Sequence, residues 1–462
     1  MASSLTAAGG YVTLLPLSLT PAVFASLLLA TRHAISIKTP HPKMIRRNAL
    51  IRFLAALLIG AATQTSLAQG IAVPIGGALK YDNDEVWSRL VQLAGGKGAR
   101  YAVFATASGT PDKTAASIVA ALARHGAIAE HIPVTAKLKS PDVRVAVNDP
   151  ALIAKVNAST GIFFAGGAQE RITDTLTLPD GKPTPMLEAI WAVFNKGGVV
   201  AGTSAGAAIM STTMIRDAQD VLTVLKFGAR DGREISRGLG FVGPELFVDQ
   251  HFLTRGRFGR MLPVMLQKGY KLGLGVDENT AAIVRGDDVE VIGFKGALIV
   301  DLTDATTDQR LKEFNLRGAR LTYLDHGDRY NVKTRTTTPS VDKLNGKKLD
   351  PNDKNFAPYF TTNAFYPDVL GDTVVVHLMS NLIDNKQREI TGLAFSAPDG
   401  KGGKADLGFE FIFRKGRDSL GYFTSSFGGE EYTVTNIYLD VRPVQMSKPL
   451  YGAYQSGRSG AN

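Results

Sequence analysis

Between residues 70 and 208 the chain repeats one alternation. Short apolar runs end in small residues, and each is followed by a stretch with helical spacing. Gly70–Ile75 runs into Gly76-Gly77, and Glu85–Ala94 then sets Val86, Leu90 and Leu93 on one helical face. Tyr101–Thr106 reads as a strand, Lys113–His125 as a helix with Ile118, Ala121 and Leu122 together, and Ala129–Pro133 as another strand. Asp149-Pro150 has the form of an N-cap and first helical residue for a helix reaching Ala158. Gly161–Ala165 is a strand, Met186–Asn195 a helix, and Gly198–Thr203 a strand again. Strands alternating with amphipathic helices predict βαβ units. The expected fold class is therefore α/β, a mostly parallel sheet with helices on both faces. Sites in such sheets gather beyond the carboxyl ends of the strands. Here those ends are the loops at 76–80, 106–112, 166–171 and 202–206.

One of these ends has a specific form. Gly198–Ala208 is a β-branched run that ends in Gly202-Thr203-Ser204-Ala205-Gly206, followed by Ile209-Met210-Ser211. This is the pattern of a nucleophile elbow, where a strand turns sharply into a helix and exposes a hydroxyl. Gly202 and Gly206 allow the close backbone approach such a turn needs. The N–H of Ala205 is expected at the new helix N-terminus, facing developing negative charge. Gly166-Gly167 ends the neighbouring strand, and the Gly167 N–H is the expected second oxyanion donor.

Cysteine is absent, which excludes a thiolate nucleophile, a disulfide framework and cysteine-held metal. The net charge of +10 suggests nucleic acid until it is located. Residues 1–68 hold six basic residues and no acidic one, and without them 46 basic residues face 42 acidic ones. That balance gives no support for a nucleic-acid face. Met44–Arg52 is a charged start, Phe53–Ala62 an apolar core of about ten residues, and Thr63–Ala68 a small-residue cleavage pattern. The expected organisation is an upstream extension over 1–43, a signal peptide over 44–68 cut after Ala68, an α/β domain over 69–332, and a β-rich C-terminal region over 333–462. The protein is thus expected outside the cytoplasm, secreted or periplasmic. The alternative is a membrane anchor at residues 11–30, an apolar stretch interrupted by Pro16 and Pro21.

After Ser211 the pattern is less regular. Residues 218–235 read as a polar loop or hairpin over the site. Leu246–Phe252 is a strand ending in Asp249-Gln250-His251, and Arg255, Arg257 and Arg260 follow on the start of a helix through Met265. Arginine forks suit carboxylate recognition. Leu272–Ala281 is another strand-to-loop segment, carrying Asp277 and Glu278. Beyond 285 the chain reads as a meander, then a polar stretch over 333–355, then strands including one at Thr373–Met379.

A serine nucleophile needs a base and a group orienting that base. Of the seven histidines, only His251 follows a strand end close behind the elbow with polar company. The expected triad is Ser204, His251 and Glu278. An α/β-hydrolase esterase has the order serine, acid, histidine. That order would use Ser204, Asp277 or Asp301, and His326, and spacing alone leaves it open.

Four motifs in order resemble the cyanophycinase family, serine peptidases related to peptidase E. They are Gly166-Gly-Ala-Gln169-x-Arg171-Ile172, Gly202-Thr-Ser-Ala-Gly206, Asp249-Gln-His-Phe-x-x-Arg-x-Arg-x-x-Arg260 and Gly275-Val-Asp-Glu-Asn-Thr-Ala281. The resemblance covers about residues 70–330, with Ala168 standing where the family usually has an acidic residue. It implies the triad Ser204, His251 and Glu278, and a substrate pocket lined by Gln169, Asp249, Gln250, Arg255 and Arg257. It implies the substrate cyanophycin, a poly-aspartate with arginine on each β-carboxylate, released as β-Asp-Arg dipeptides. On this reading no metal or organic cofactor is needed, and a homodimer is suggested. Two other readings stand beside it: a peptidase of the same clan acting on small isoaspartyl or aspartyl peptides, and a non-catalytic polymer-binding protein.

Overall fold

The early alternation folds into one half of a nine-stranded sheet. The computed structural model describes residues 69–217, 219–396, 404–426, 428–447 and 450–451. The expected extension at 1–43, signal peptide at 44–68 and anchor stretch at 11–30 lie outside the described residues. No helix among the described residues is long and apolar enough to cross a membrane.

In chain order the first half holds β1 (Ile71–Ile75), α1 (Asp84–Leu93), β2 (Arg100–Phe104), α2 (Pro111–Arg124), β3 (Ile128–His131), α3 (Val143–Ala146), α4 (Pro150–Asn157), β4 (Gly161–Phe164), α5 (Gln169–Leu176), α6 (Pro185–Asn195), β5 (Val199–Thr203) and α7 (Ala205–Ala208). Next come β6 (Thr213–Ile215), α8 (Val221–Phe227), β7 (Ile235–Arg237), β8 (Leu246–Gln250), α9 (Phe258–Lys268), β9 (Leu272–Val276), β10 (Thr280–Arg285), β11 (Asp288–Gly293) and β12 (Ala297–Asp301). The remainder holds β13 (Leu316–Leu324), β14 (Arg329–Asn331), β15 (Thr336–Thr338), α10 (Val341–Asn345), β16 (Lys347–Leu349), β17 (Phe365–Tyr366), α11 (Val374–Ile383), β18 (Glu389–Ala394), β19 (Leu407–Thr424) and β20 (Glu431–Gln445).

Local chemistry explains the helix starts. Asn83, Asp149 and Thr184 each accept a backbone N–H in the first turn of α1, α4 and α6, satisfying donors a helix leaves unpaired. Pro150 and Pro185 open two of these helices, where a missing N–H costs nothing.

The first sheet runs β15-β14-β11-β10-β1-β5-β4-β2-β3. Only β1, β5, β4, β2 and β3 are mutually parallel. β10, β11, β14 and β15 add antiparallel strands along the other edge. The second sheet runs β17-β18-β19-β20-β13-β12-β9-β8, with β16 joined to β19. It is parallel at β8–β9 and at β17–β18, and antiparallel elsewhere. The expected mostly parallel sheet is therefore half of the architecture, and the whole is mixed α/β. The reason lies past residue 278, where short turns replace helices and only antiparallel strands can be joined that way.

Three apolar layers follow. Trp87, Leu90, Ile118 and Leu122 of α1 and α2 pack on one face of the first sheet against Val73, Val103 and Phe163. Its other face meets α6 through Met186 and Ile190, and meets Leu274, Val276 and Ile299 of the second sheet. The far face of the second sheet is covered by α8, α9 and α11.

Three segments differ from expectation. Thr373–Met379 is not a strand but the start of α11, because Val375, Leu378, Met379, Leu382 and Ile383 recur at helical spacing and are buried. Residues 218–235 contain α8, and β7 pairs with β6. The polar stretch 333–355 holds β15, α10 and β16, pinned by the buried Lys343, whose ammonium meets Asp328 at 3.0 Å. Strands β18–β20 continue the sheet that carries β8 and β9, with β13 pairing directly to β20.

Candidate active site

β5 lies between β1 and β4, and its last residues meet both neighbours: Gly202 is level with Pro74 and Phe164, and Thr203 with Ile75. Ser204 then leaves the strand at φ 54°, and α7 starts at Ala205. A positive φ in a non-glycine residue is strained and persists only where surroundings hold it. Here the Ser204 N–H donates to Ile75 O at 2.9 Å. The turn excludes side chains: a Cβ on Gly202 would fall 2.8 Å from Gly206 Cα, and one on Gly206 would fall 2.5 Å from Phe164 O.

The end of β8 meets this turn from the second sheet. His251 follows Gln250 at φ 47°, held by its N–H donating to Gly76 O at 2.6 Å. Its Nε2 lies 2.8 Å from Ser204 Oγ, and its Nδ1 lies 2.7 Å from Glu278 Oε1. With Nδ1 protonated and donating to Glu278, Nε2 is an acceptor for the serine hydroxyl. Burial lowers the imidazole pKa below its ordinary value, and the charges of Arg255 and Arg257 add to this, while the Glu278 hydrogen bond opposes it. A neutral imidazole next to a serine hydroxyl is the protonation state a general base requires.

The other carboxylates and histidines weighed from the sequence are engaged elsewhere. Asp277 accepts from Thr254 N at 3.1 Å and from Thr254 Oγ1 at 2.9 Å. Asp301 lies 3.3 Å from Arg320. His326 meets Glu85 at 2.7 Å, in a different sheet-end contact from Ser204. The serine–acid–histidine order through His326 is therefore not the arrangement present.

Gly166 flanks Ser204 from the end of β4, and Gly167 beside it packs against Ala107. A Cβ on Gly166 would sit 3.2 Å from Ser204 Cβ and 3.7 Å from its Oγ. Gly167 has φ 142°, and the following Ala168 N–H donates to Ala107 O at 3.1 Å. The two expected oxyanion donors, on Gly167 and Ala205, thus belong to the two turns that border the hydroxyl.

The five expected pocket residues divide. Arg255 is about half exposed, with its guanidinium 3.8 Å from Glu278. The other four are buried with protein partners. Asp249 gives both carboxylate oxygens to Arg260, at 2.8 and 2.7 Å, and Arg257 stands 4.0 Å away. Burial by itself raises the Asp249 carboxyl, but the Arg260 charge and hydrogen bonds outweigh it and the pKa is lowered. Arg257 donates to Gln250 O at 2.7 Å and to Gln250 Oε1 at 2.8 Å, and burial brings its pKa down to about 10. Gln169 donates to Ile215 O at 2.8 Å and to Arg216 O at 3.0 Å. Asp249, expected to meet a substrate guanidinium, is almost wholly buried and paired with Arg260 in this structure. Asp249, Gln250, Arg257 and Arg260 form a buried wall in the segments that flank His251, and Gln169 is engaged apart from it.

Two contributors escaped the sequence reading. Gly77 has φ 116°, and its Cα lies against the His251 ring. Asn279, at φ 55°, donates its N–H to Gly77 O at 2.8 Å, and its side-chain oxygen accepts from Lys80 N and from Asn83 Nδ2. The β1 loop and the Glu278 loop are thereby tied together. The signal was present as Gly76-Gly77 at a strand end, but nothing in the sequence names its partner.

Residues 75–292 match the family described as Peptidase family S51. The cyanophycinase of Geminocystis herdmanii is 34% identical over 273 residues, covering 56% of this chain and 93% of that protein. The cyanophycinase of Synechococcus elongatus is 29% identical over 287 residues, covering 59% of this chain and 82% of that one. A crystal structure of a peptidase from an acI-B1 Actinobacterium aligns with a TM-score of 0.42 at 21% identity, over 57% of this chain and 97% of that one.

Proposed function

The chain belongs to peptidase family S51 and is a peptidase hydrolase, and from that premise we propose that it is a secreted serine-type enzyme that degrades cyanophycin to β-Asp-Arg dipeptides. The observation that carries the reading is the continuous hydrogen-bond chain Ser204 Oγ, His251 Nε2, His251 Nδ1, Glu278 Oε1. In this mechanism Ser204 at the nucleophile elbow attacks the carbonyl of a backbone aspartyl peptide bond. His251 Nε2 takes the hydroxyl proton, and Glu278 holds the ring and stabilises the imidazolium. The tetrahedral oxyanion forms between the N–H groups of Ala205 and Gly167. Collapse breaks the C–N bond, and His251 returns the proton to the leaving amine. The acyl group remains on Ser204 Oγ until water, deprotonated by His251, releases it.

The half-exposed Arg255 beside Glu278 supports an anionic substrate group near the catalytic chain. Secretion rests on the leader pattern at 44–68 with its expected cut after Ala68, and sequencing the N-terminus of exported protein tests it. A mature chain starting at Gln69 is the expected result.

The activity test compares purified protein with its Ser204→Ala and His251→Ala variants on insoluble cyanophycin, with products identified by mass. Clearing by the unsubstituted protein alone, with β-Asp-Arg released, is the expected outcome. A folded, inactive wild type overturns the cyanophycin assignment. Cleavage of short isoaspartyl peptides in its place moves the substrate to that class within the same mechanism.

A further inference from the structure

At the end of the second sheet that carries Glu278 there is a small aromatic cavity. Ala297 of β12 is level with both Val276 of β9 and Leu324 of β13, so Glu278, Lys295 and Asp325 emerge at the same end of the sheet. β20 lies beside β13 with Val434 opposite Tyr323, which brings Glu430 and Tyr432 to that end as well. Between these residues and α11 lies a cavity of about 250 Å3. Its walls include four aromatic rings, Tyr323, Phe360, Tyr366 and Tyr432, and its two carboxylates are Asp325 and Glu430. Among the described residues no lysine or arginine lines it.

These features select a class of ligand. Asp325 is buried, and burial raises its carboxyl above the usual range. Lys343, whose charge also reaches Asp325, is committed to Asp328 at 3.0 Å. Asp325 is a buried carboxylate that accepts from His326 N at 2.8 Å, Glu430 is an exposed one, and the ring faces beside them attract a cation. A flat guanidinium satisfies both, through forked hydrogen bonds to carboxylate and stacking on aromatic rings. The cavity is below the size of sites that engulf a whole small molecule, and it suits one side chain.

We infer that this cavity is a distal subsite that takes the guanidinium of an arginyl branch, some units away from the bond being cut. The identity of the polymer rests on the cyanophycin reading; the cation chemistry of the cavity does not. Two strand spacings, together about 10 Å, separate the end of β9 from the end of β13. An extended chain covers about 3.3–3.6 Å per residue, so a polymer bound at Ser204 reaches the cavity within several units. The residues that build it lie beyond 292, outside the part that matches the peptidase family.

The test uses the full chain carrying Ser204→Ala, titrated with L-arginine amide and, as control, L-norleucine amide, by calorimetry. Arginine amide is expected to bind in the millimolar range and norleucine amide not at all. Glu430→Gln and Tyr366→Ala, on an exposed and a half-buried residue, are each expected to weaken arginine amide about fivefold with unchanged thermal unfolding. In the active protein the same substitutions should raise KM for the polymer by about fivefold at constant kcat, and leave the shortest cleavable β-Asp-Arg oligomer unaffected. Absent binding, binding untouched by both substitutions, or equal effects on polymer and short oligomer each overturn the subsite. If cyanophycin is not cleaved by the wild type but arginine amide binds and responds to both substitutions, the polymer assignment falls and the guanidinium site stands.

Discussion

Gly77 packs flat against the imidazole of His251. A Cβ placed there would lie within 2.8 Å of Nδ1 and closer still to Cε1 and Nε2, and the residue has φ 116°. The His251 ring is thus held with a glycine backbone against it and hydrogen bonds to Ser204 and Glu278 at its two nitrogens. Gly77→Ala should displace the ring while leaving both sheets intact. A shift of about 1 Å in a catalytic group costs on the order of 100-fold in rate. The expected result is a loss of that size in kcat/KM with an unchanged far-ultraviolet circular dichroism spectrum. Full activity would mean the ring does not need its observed position.

Glu278 and Asp277 are sequence neighbours with different jobs. Glu278 meets His251 at 2.7 Å, whereas Asp277 accepts two hydrogen bonds from Thr254. Glu278→Gln should lower kcat by about 10³–10⁴-fold, the scale seen when a triad carboxylate becomes an amide. Asp277→Asn should keep kcat within an order of magnitude and lower the melting temperature, because a buried hydrogen-bonded network loses an acceptor worth about 1–3 kcal/mol. Equal kinetic losses from the two substitutions would contradict this division.

With His251 as the proposed base, the charge around it should set the acid limb of the pH profile. Its pKa is lowered by burial and by Arg255 and Arg257, against the opposing Glu278 bond. Activity requires the neutral ring, so it should fall as pH drops through a value below the ordinary imidazole range. Removing a positive charge makes the imidazolium easier to form. Arg255→Ala should therefore move the acid limb to higher pH. Arg255 is half exposed, so solvent screening keeps that shift small. A kcat/KM profile of the two proteins at matched ionic strength measures it, and a shift toward acid would refute the assigned sign.

Much of this site is legible in the sequence because its constraints are local. The Ser204 turn is written in Gly202 and Gly206, whose missing side chains the backbone contacts demand. The parallel half of the first sheet is legible for the same reason, since each βα unit carries its own period and caps. The direction of a polar side chain is not local. Asp249, Gln250 and Arg257 share a motif with His251, yet Asp249 is paired with Arg260 of α9, Gln250 and Arg257 with each other, and Gln169 with the backbone of β6 and the residue after it. Nor is the second sheet local, as β13 pairs with β20 more than a hundred residues on. The valine-rich start of α11 has strand propensity, and its burial against β19 at helical spacing overrides that preference.

The Asp249–Arg260 pair shows what that buried wall does for the base. Both groups are almost wholly buried and joined by two hydrogen bonds, and Asp249 stands two residues before His251 in the chain. Removing one partner leaves an uncompensated buried charge, which costs about 3–5 kcal/mol. Asp249→Ala should therefore lower the unfolding free energy by that amount, and Asp249→Asn, which keeps shape and one acceptor, by less. The pH dependence has a definite sign. Asp249 has a lowered pKa in the folded protein, so its stabilisation is fully present above the ordinary carboxyl range and is lost as pH falls through the lowered value. Denaturant unfolding of wild type and Asp249→Asn at neutral and strongly acid pH reads this directly. The stability gap between the two should narrow in acid, and a gap that widens would place the pair's role in packing alone.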